Sequence, residues 1–221
     1  MDCRTEILNN GTVCYISDGF TFGADALLLA DFALRRGAGR TLELCSGCGI
    51  VALKMADGGH REETVAVELL PEGTELLERS VESSGLRHIR ALTCDLREYK
   101  ADRRFDACVC NPPYFSGKAG KTAAGVRGIA RSDSCCTPDD LCAAAARNLK
   151  EGGKLLFCFP VSRLQAAFTA LSAGGFSVKA VQLVRHSRDR APRIALIDAR
   201  YRGGEGLEFL PDLIEHTEEP L

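Results

Sequence analysis

The sequence predicts an α/β fold built on a mostly parallel, seven-stranded sheet with helices on both faces. Short apolar runs alternate with longer helical segments along the chain, and this alternation is typical of parallel βαβ units. A turn containing Gly47 and Gly49 follows one of the first apolar runs. Later runs end at Glu68, Asp95 and Asn111, and the carboxyl ends of parallel strands are where such folds bind ligands.

The N-terminal stretch predicts a β-hairpin laid on the main domain. Residues 4–22 alternate weakly between apolar and polar, and Asn9-Asn10-Gly11 is a strong hairpin turn signal. A helix over about 25–33 follows, and it is apolar on most faces, so we expect it to be buried. Asp25 falls in its first turn, where a carboxylate stabilises the helix dipole.

The remaining elements follow in a regular order. Strands are predicted at 41–44, 64–67, 89–94, 105–110, 154–159, 176–184 and 194–201. A helix should begin at Pro71 and end at Gly85, and another should start after the N-cap Thr137 and end at Gly152-Gly153. Residues 1–221 are predicted to form one domain, with 1–22 as a hairpin extension and 203–221 as an acidic tail.

Composition narrows the class of protein. The chain has 221 residues, 45% of them hydrophobic, and a formal net charge of −2, so the whole molecule is not a basic nucleic-acid binder. No apolar run is long enough to span a membrane, and the N-terminus lacks the regions of a signal peptide. We therefore expect a cytoplasmic protein with no membrane contact and no obligate protein partner.

The cysteines are expected to fill the core. The chain has 11 of them, many inside apolar runs, where cysteine behaves as a small buried hydrophobe. Cys45 and Cys48 have CxxC spacing, but there is no second CxxC and no nearby histidine to complete a zinc site. The sequence therefore predicts no metal.

Charge is distributed unevenly along the chain. One basic segment contains Lys118, Lys121, Arg127 and Arg131 and no acid; a second, from Arg185 to Arg202, contains six arginines, among them Arg185, Arg188 and Arg190. From Gly203 onward every charged side chain is acidic, His216 apart. The basic segments are either solvated loops or a surface for phosphate groups.

The stretch Asn111-Pro112-Pro113-Tyr114 directly follows the predicted strand 105–110. Prolines have no N–H donor, so their carbonyls and the Asn111 side-chain oxygen remain available as acceptors. A flat group bearing an NH2 could donate to two of these acceptors while Tyr114 stacks on its face. The stretch therefore indicates a site for an amine on an sp2 carbon, although a Pro-Pro turn leaving a strand is the simpler alternative.

The glycine turn allows two cofactors. Gly47 to Ala52 fits G-x-G-x-x-A, and Glu68 could accept both hydroxyls of a ribose, as in a NAD-dependent oxidoreductase. Glu43, however, would meet the pyrophosphate of a dinucleotide with negative charge. S-adenosylmethionine has no phosphate and carries positive groups, so Glu43, Glu68 and Asp95 suit it better, with Asp95 near the adenine amine.

With these motifs together, the chain resembles the class I S-adenosylmethionine-dependent amino-methyltransferases, which have a Rossmann-like fold. It is most similar to the tRNA(Val) adenine-N6 methyltransferase family. The resemblance runs from about Phe20 to Arg202, and it includes the segment from Phe22 to Ala30, the stretch from Glu43 to Gly49, and Asn111 to Phe115. Ile129-Ala130-Arg131 also belongs to it.

The resemblance implies S-adenosylmethionine as cofactor and an adenine in a tRNA anticodon loop as acceptor. It implies catalytic roles for Asn111, Pro112, Pro113 and Tyr114. It implies cofactor contacts from Glu43, Cys45, Ser46, Gly47, Gly49, Glu68, Leu69, Asp95, Leu96 and Asn111. It implies RNA contacts from Lys118, Lys121, Arg127, Arg131, Arg185, Arg188 and Arg190. The same chemistry on rRNA adenine or on a protein glutamine stays open, as do the oxidoreductase and a non-catalytic module.

Three features depart from the family pattern. Cys45 stands where the usual acid-x-Gly-x-Gly-x-Gly loop has its first glycine. Ser132-Asp133 follows Arg131 where the family more often has a His-Glu pair. The acidic tail after Arg202 has no counterpart that the resemblance accounts for.

Overall fold

A sheet of eight strands organises the computed structural model, which describes residues 2–113 and 136–215. After the hairpin strands β1 (Cys3–Ile7) and β2 (Val13–Ser17), the sheet strands are β3 (Thr41–Leu44), β4 (Thr64–Glu68), β5 (Ile89–Thr93), β6 (Phe105–Cys110), β7 (Leu149–Pro160), β8 (Phe176–Arg185), β9 (Ile194–Tyr201) and β10 (Glu208–Ile214). The spatial order is β10-β8-β9-β7-β6-β3-β4-β5. Only β9 runs antiparallel to its neighbours, so the other strands end at one edge.

Helices cover both faces of this sheet, as predicted. They are α1 (Ala24–Arg36), α2 (Ile50–Asp57), α3 (Pro71–Ser84), α4 (Pro138–Asn148) and α5 (Leu164–Ala173), the last preceded by a 3₁₀ turn at Val161–Arg163. One core lies between the sheet and α1, α2 and α3, and the other lies beneath α4 and α5. None of the helices in residues 2–113 and 136–215 has the length and hydropathy needed to cross a bilayer.

Alternation along β6 distributes its side chains between these two cores. Ala107 and Val109 face the first core, whereas Cys108 and Cys110 face the second. All four are buried, so β6 is a central strand covered on both faces, as its continuous apolar run predicts. The strand therefore delivers the residue that follows Cys110 to the middle of the sheet edge.

The predicted hairpin is present, and its turn is anchored on α2. β1 and β2 pair antiparallel around Gly11, whose φ of 95° favours glycine. The Asn10 backbone N–H donates to the Asp57 carboxylate at 3.1 Å, and the Thr12 N–H donates to it at 3.2 Å. On the next strand, the backbone N–H of Tyr15 donates to the Ser80 hydroxyl on α3 at 2.9 Å. These contacts fix the hairpin against the first core.

Two sequence expectations about the C-terminal half were wrong. Within the described residues the sheet has eight strands instead of the predicted seven, because residues 208–214 of the acidic tail form β10. The glycines Gly152-Gly153 do not end a helix; α4 already ends at Asn148 and the strand begins at once. Gly152 has a φ of 73°, and the pairing with β6 is irregular there, so the glycines accommodate a distortion within β7.

Candidate active site

A cleft opens at the carboxyl edge of the sheet, above the ends of β3 to β6. Its volume is about 470 Å³, within the range of roughly 300–1,000 Å³ that is typical of small-molecule and cofactor sites. The segments 19–23, 45–48, 67–70, 94–96 and 111–113 line it. Every residue predicted to contact a cofactor belongs to this lining except Gly49.

The turn between β3 and α2 depends on left-handed backbone conformations. Gly47 and Gly49 have φ values of 56° and 76°. A Cβ on Gly49 would lie 2.3 Å from Leu77 Cδ1, so this glycine lets α2 start close to α3 instead of contacting a ligand. Cys45 has a φ of 55°, which for a residue other than glycine costs about 1–2 kcal/mol. The position that departs from the family loop is therefore one where glycine would fit without strain.

Glu43 projects from β3 into the base of the cleft and is only 2% exposed. Its Oε2 accepts the backbone N–H of Ala52 at 3.1 Å. Among the described residues, it has no cationic partner. Burial raises the pKa of this carboxyl to about 8, because a lone charge is costly to remove from water. A positive group entering the cleft would favour its charged form.

Glu68 ends β4 and fastens the glycine turn to it. Its Oε2 accepts the Gly47 N–H at 2.8 Å, and its Oε1 accepts the Leu70 N–H at 3.0 Å. Burial raises the pKa of this carboxyl as well, while the backbone N–H groups of Leu70, Gly47 and Leu69 oppose that rise. Each carboxylate oxygen can accept a second hydrogen bond. Glu68 can therefore hold the turn and still accept ligand hydroxyls.

Asp95 follows β5 and is bound by a neighbouring arginine. The Arg97 guanidinium donates through Nε to Asp95 Oδ1 at 2.9 Å and to Oδ2 at 3.0 Å. This pairing lowers the pKa of the Asp95 carboxyl. Asp95 lines the cleft, but an adenine amine would have to share its oxygens with Arg97.

Asn111 stands directly after β6, on the cleft wall with Pro112 and Pro113. Its side-chain Oδ1 accepts a hydrogen bond from the Cys158 thiol of β7 at 3.0 Å. The structure thus brings the Asn-Pro-Pro segment next to the acids at the strand ends. Tyr114, predicted to stack on the substrate, lies outside the described residues.

The predicted RNA contacts are described only in part. Arg188 and Arg190 are exposed in the connection between β8 and β9, at the same edge of the sheet as the cleft. Arg185, by contrast, pairs through Nε with Asp212 of β10 at 2.5 Å and donates to the Arg190 carbonyl at 2.9 Å. Outside the described residues lie Lys118, Lys121, Arg127 and Arg131.

Sequence reasoning missed two parts of the site. The connection 19–23 forms one wall of the cleft, and the aromatic pattern Phe20-Thr21-Phe22 directly before α1 could have indicated it. Arg193 bridges two acids: its Nη1 lies 2.7 Å from Asp25 Oδ1, and its Nη2 lies 2.5 Å from Glu215 Oε1. Asp25 lines the cleft, so its carboxylate has a partner beyond the helix dipole.

The groups in the cleft fit a ligand with positive charge and hydroxyls. Glu43 offers a buried carboxyl, and Glu68 offers free acceptor capacity. The Ser46 Oγ atom is buried and, among the described residues, has no hydrogen-bond partner. Buried polar atoms are normally paired, so Ser46 is ready to bind a polar group. These are the features of S-adenosylmethionine rather than of a pyrophosphate.

Comparison with known proteins agrees with this site. The family model described as "Methyltransferase small domain" matches residues 15–172. A relative from Tolumonas auensis, named tRNA1(Val) (adenine(37)-N6)-methyltransferase, is 32% identical over 178 residues, which are 79% of this chain and 74% of that protein.

Solved structures share the fold. A predicted O-methyltransferase from Agrobacterium tumefaciens superposes with a TM-score of 0.64 at 21% identity, covering 87% of this chain and 88% of that one. The glycopeptide N-methyltransferase MtfA in complex with S-adenosylmethionine superposes with a TM-score of 0.58 at 16% identity, covering 81% and 95%. Identities at this level establish the Rossmann-like architecture alone.

Fold, cleft and comparisons together define an S-adenosylmethionine-dependent methyltransferase. The chain belongs to the methyltransferase small domain family. This assignment replaces the oxidoreductase alternative, and it agrees with the acids at the ends of β3, β4 and β5.

Proposed function

We propose that this enzyme methylates the exocyclic N6 amine of an adenine in tRNA, in the anticodon loop. The observation that carries the proposal is the position of Asn111, on the wall of the cleft and immediately before two prolines. The printed name of the Tolumonas auensis relative supports a tRNA adenine as acceptor. Such an acceptor would also agree with the expected cytoplasmic location.

Asn111 and Pro112 would recognise the amine by accepting its two hydrogens. The Asn111 Oδ1 atom accepts a hydrogen bond from the Cys158 thiol at 3.0 Å, and a carboxamide oxygen can accept more than one hydrogen bond. Asn111 Oδ1 and the Pro112 carbonyl would together draw both N–H bonds of the amine toward the protein. The nitrogen lone pair is then withdrawn from the ring and directed into the cleft, so catalysis depends on positioning and electrostatic preorganisation.

Other residues would hold the reactants. S-adenosylmethionine supplies a methyl group on a positively charged sulfur. Glu43 would neutralise the positive charge of this ligand, and Glu68 would accept its hydroxyl groups. The adenine must leave its stack to reach the cleft, and in a loop it is already partly unpaired. Tyr114 would stack on the extruded base.

The RNA would approach from the carboxyl edge of the sheet. Arg188 and Arg190 are exposed at that edge, where guanidinium groups could bind phosphates. In the same proposal Lys118, Lys121, Arg127 and Arg131, together with Arg185, contribute further positive charge. Arg185 already forms an ion pair with Asp212. A phosphate would therefore either replace Asp212 as the partner of this guanidinium or share the guanidinium with it.

The test is methyl transfer from labelled S-adenosylmethionine into unmodified total tRNA, followed by digestion to nucleosides. We expect label in N6-methyladenosine. The Asn111→Ala variant should abolish transfer while leaving cofactor affinity within about tenfold, because the lost interaction is made with the amine. Near-normal turnover by that variant would contradict the role of Asn111.

Two other acceptors are outcomes of the same experiment. Label in rRNA adenine, or in a protein glutamine when ribosomal RNA and peptide acceptors are supplied in parallel, would keep the chemistry and overturn the tRNA assignment. A glutamine carboxamide also presents an NH2 on an sp2 carbon, so Asn111 and Pro112 could accept its hydrogens in the same way.

A further inference from the structure

Cys158 is a buried cysteine whose thiol donates a hydrogen bond to Asn111, the residue proposed to bind the substrate amine. It lies on β7, is fully buried, and its Sγ lies 3.0 Å from Asn111 Oδ1. The adjacent pair in the ladder is Cys110 on β6 with Phe157 on β7. The residues that follow them, Asn111 and Cys158, are therefore neighbours. This register places the Cys158 thiol beside the Asn111 carboxamide.

The contact with Cys158 constrains rotation of the Asn111 carboxamide group about its terminal torsion. Rotation about the terminal torsion of an asparagine exchanges its oxygen, an acceptor, with its NH2 group, a donor. Only the oxygen can accept a hydrogen from a substrate amine. A thiol is a weak donor, and its sulfur is also a weak acceptor, so the observed contact from the Cys158 thiol to Oδ1 at 3.0 Å favours, through its S–H, the orientation in which Oδ1 occupies this position.

We propose that Cys158 is a positioning residue for methyl transfer, acting through its thiol hydrogen bond to Asn111. The inference rests on the proposed role of Asn111 as acceptor for the substrate amine. Cys158 touches neither substrate nor cofactor in this arrangement. It determines which atom of the Asn111 carboxamide faces the amine. Cys158 itself belongs to the first core, beneath the edge of the sheet.

The alternative is that Cys158 merely fills space, as many cysteines of this chain do. Cys108 provides the comparison, because it is fully buried on the neighbouring strand β6, faces the second core, and is a free thiol. A cavity left by either cysteine should destabilise the fold to a similar extent. Only the loss of Cys158 should remove a hydrogen bond from Asn111.

The experiment compares steady-state methyl transfer by three variants. Cys158→Ala should lower kcat by about tenfold, with KM and the affinity for S-adenosylmethionine changed by less than about threefold. Cys158→Ser keeps a donor and should recover most of the kcat. Cys108→Ala should lose stability but keep its kcat. Equal kcat values for Cys158→Ala and Cys158→Ser would overturn the proposal.

A spectroscopic readout separates this inference from the proposed function. The infrared difference between wild type and Cys158→Ala isolates the S–H stretch of Cys158. Hydrogen bonding should hold that band below its frequency in the Asn111→Ala background. A band that does not move refutes the positioning contact. A band that moves in a protein that methylates no adenine would refute the proposed function and leave the contact established.

Discussion

Burial and cofactor binding have opposite effects on Glu43. Burial favours its protonated carboxyl, whereas binding of a positively charged cofactor would favour the ionised carboxylate. Burial raises the pKa of its carboxyl from the ordinary value of 4.5 to about 8. The folded state therefore holds this proton more tightly than the unfolded chain does. The resulting stability is present in full below about pH 4.5 and is lost as the pH rises through about 8.

This difference predicts a pH dependence for both folding and cofactor binding. In the absence of cofactor, the unfolding free energy of the wild type should fall relative to Glu43→Gln as the pH rises toward 8. Affinity for the positively charged cofactor should rise over the same window, by up to about tenfold per pH unit, because binding favours the ionised carboxylate. Calorimetric titrations between about pH 6 and 9 measure both affinity and released protons.

The Glu43→Gln variant is the control for the other acids of the cleft. Glu68 also has a raised pKa, so part of any pH dependence belongs to it and should persist in the variant. A wild type and a Glu43→Gln protein with parallel pH profiles would show that Glu43 does not titrate on binding.

Site residues could be predicted from the sequence where their position at the end of a strand is enough to place them in the cleft. Glu43, Glu68, Asp95 and Asn111 all lie at or just beyond the carboxyl ends of strands that the apolar pattern reveals, and the structure gathers them around one cleft. Their partners were not predictable. The N–H of Ala52, the N–H of Gly47 and the thiol of Cys158 reach these side chains only through the fold.

At the scale of elements, the start of α3 is packed against the glycine turn. Gly73 lies in the first turn of α3, and a Cβ there would stand 2.7 Å from the Gly47 carbonyl oxygen and 2.8 Å from Glu68 Cγ. A backbone atom cannot move aside as a flexible side chain can. A glycine inside a helical pattern is a weak signal in sequence, and its packing role becomes clear only in the structure.

Gly73→Ala should therefore push α3 away from the turn. We expect the unfolding free energy to fall by about 1–3 kcal/mol and the affinity for S-adenosylmethionine to fall with it, because Glu68 and Gly47 move together. Urea unfolding and cofactor titration measure the two effects. Gly204→Ala is the matched control, since a Cβ at Gly204 meets nothing within 4 Å; similar losses in both variants would contradict this account.

Strand β10 shows why one element was missed. Its sequence is acidic and contains Pro211, which argues against a strand because proline cannot donate to a ladder. In the structure β10 is an edge strand, and its register with β8 shifts between Leu210 and Leu213, around that proline. An edge strand with irregular pairing can accommodate a proline that would disrupt a central strand.

For the whole molecule, the alternation of strands and helices was sufficient to predict the architecture, whereas the pairing of distant charges was not. The acidic tail and the second basic segment were visible in the sequence as opposite charges. The structure brings them into contact through Arg185 with Asp212 and Arg193 with Glu215. Arg188 and Arg190 remain exposed between these pairs in sequence.

Because Arg188 and Arg190 are exposed while Arg185 and Arg193 are ion-paired, we expect the first two to contribute to RNA binding. If Arg188 and Arg190 each bind one phosphate of a single-stranded loop, the double change Arg188→Glu, Arg190→Glu should reduce the magnitude of the negative slope of log affinity against log salt by about 1.4. Binding of unmodified tRNA, measured at several salt concentrations, gives that slope.

The control variant must carry the same change of charge on the opposite edge of the sheet. Arg87 and Arg103 are exposed and precede β5 and β6, so the change Arg87→Glu, Arg103→Glu alters net charge equally but far from the cleft. If long-range attraction between the whole molecule and RNA dominates binding, both double variants should show the same reduction in the magnitude of the slope. A loss confined to the Arg188 and Arg190 variant would instead identify the edge that holds the cleft as the surface on which the phosphates bind.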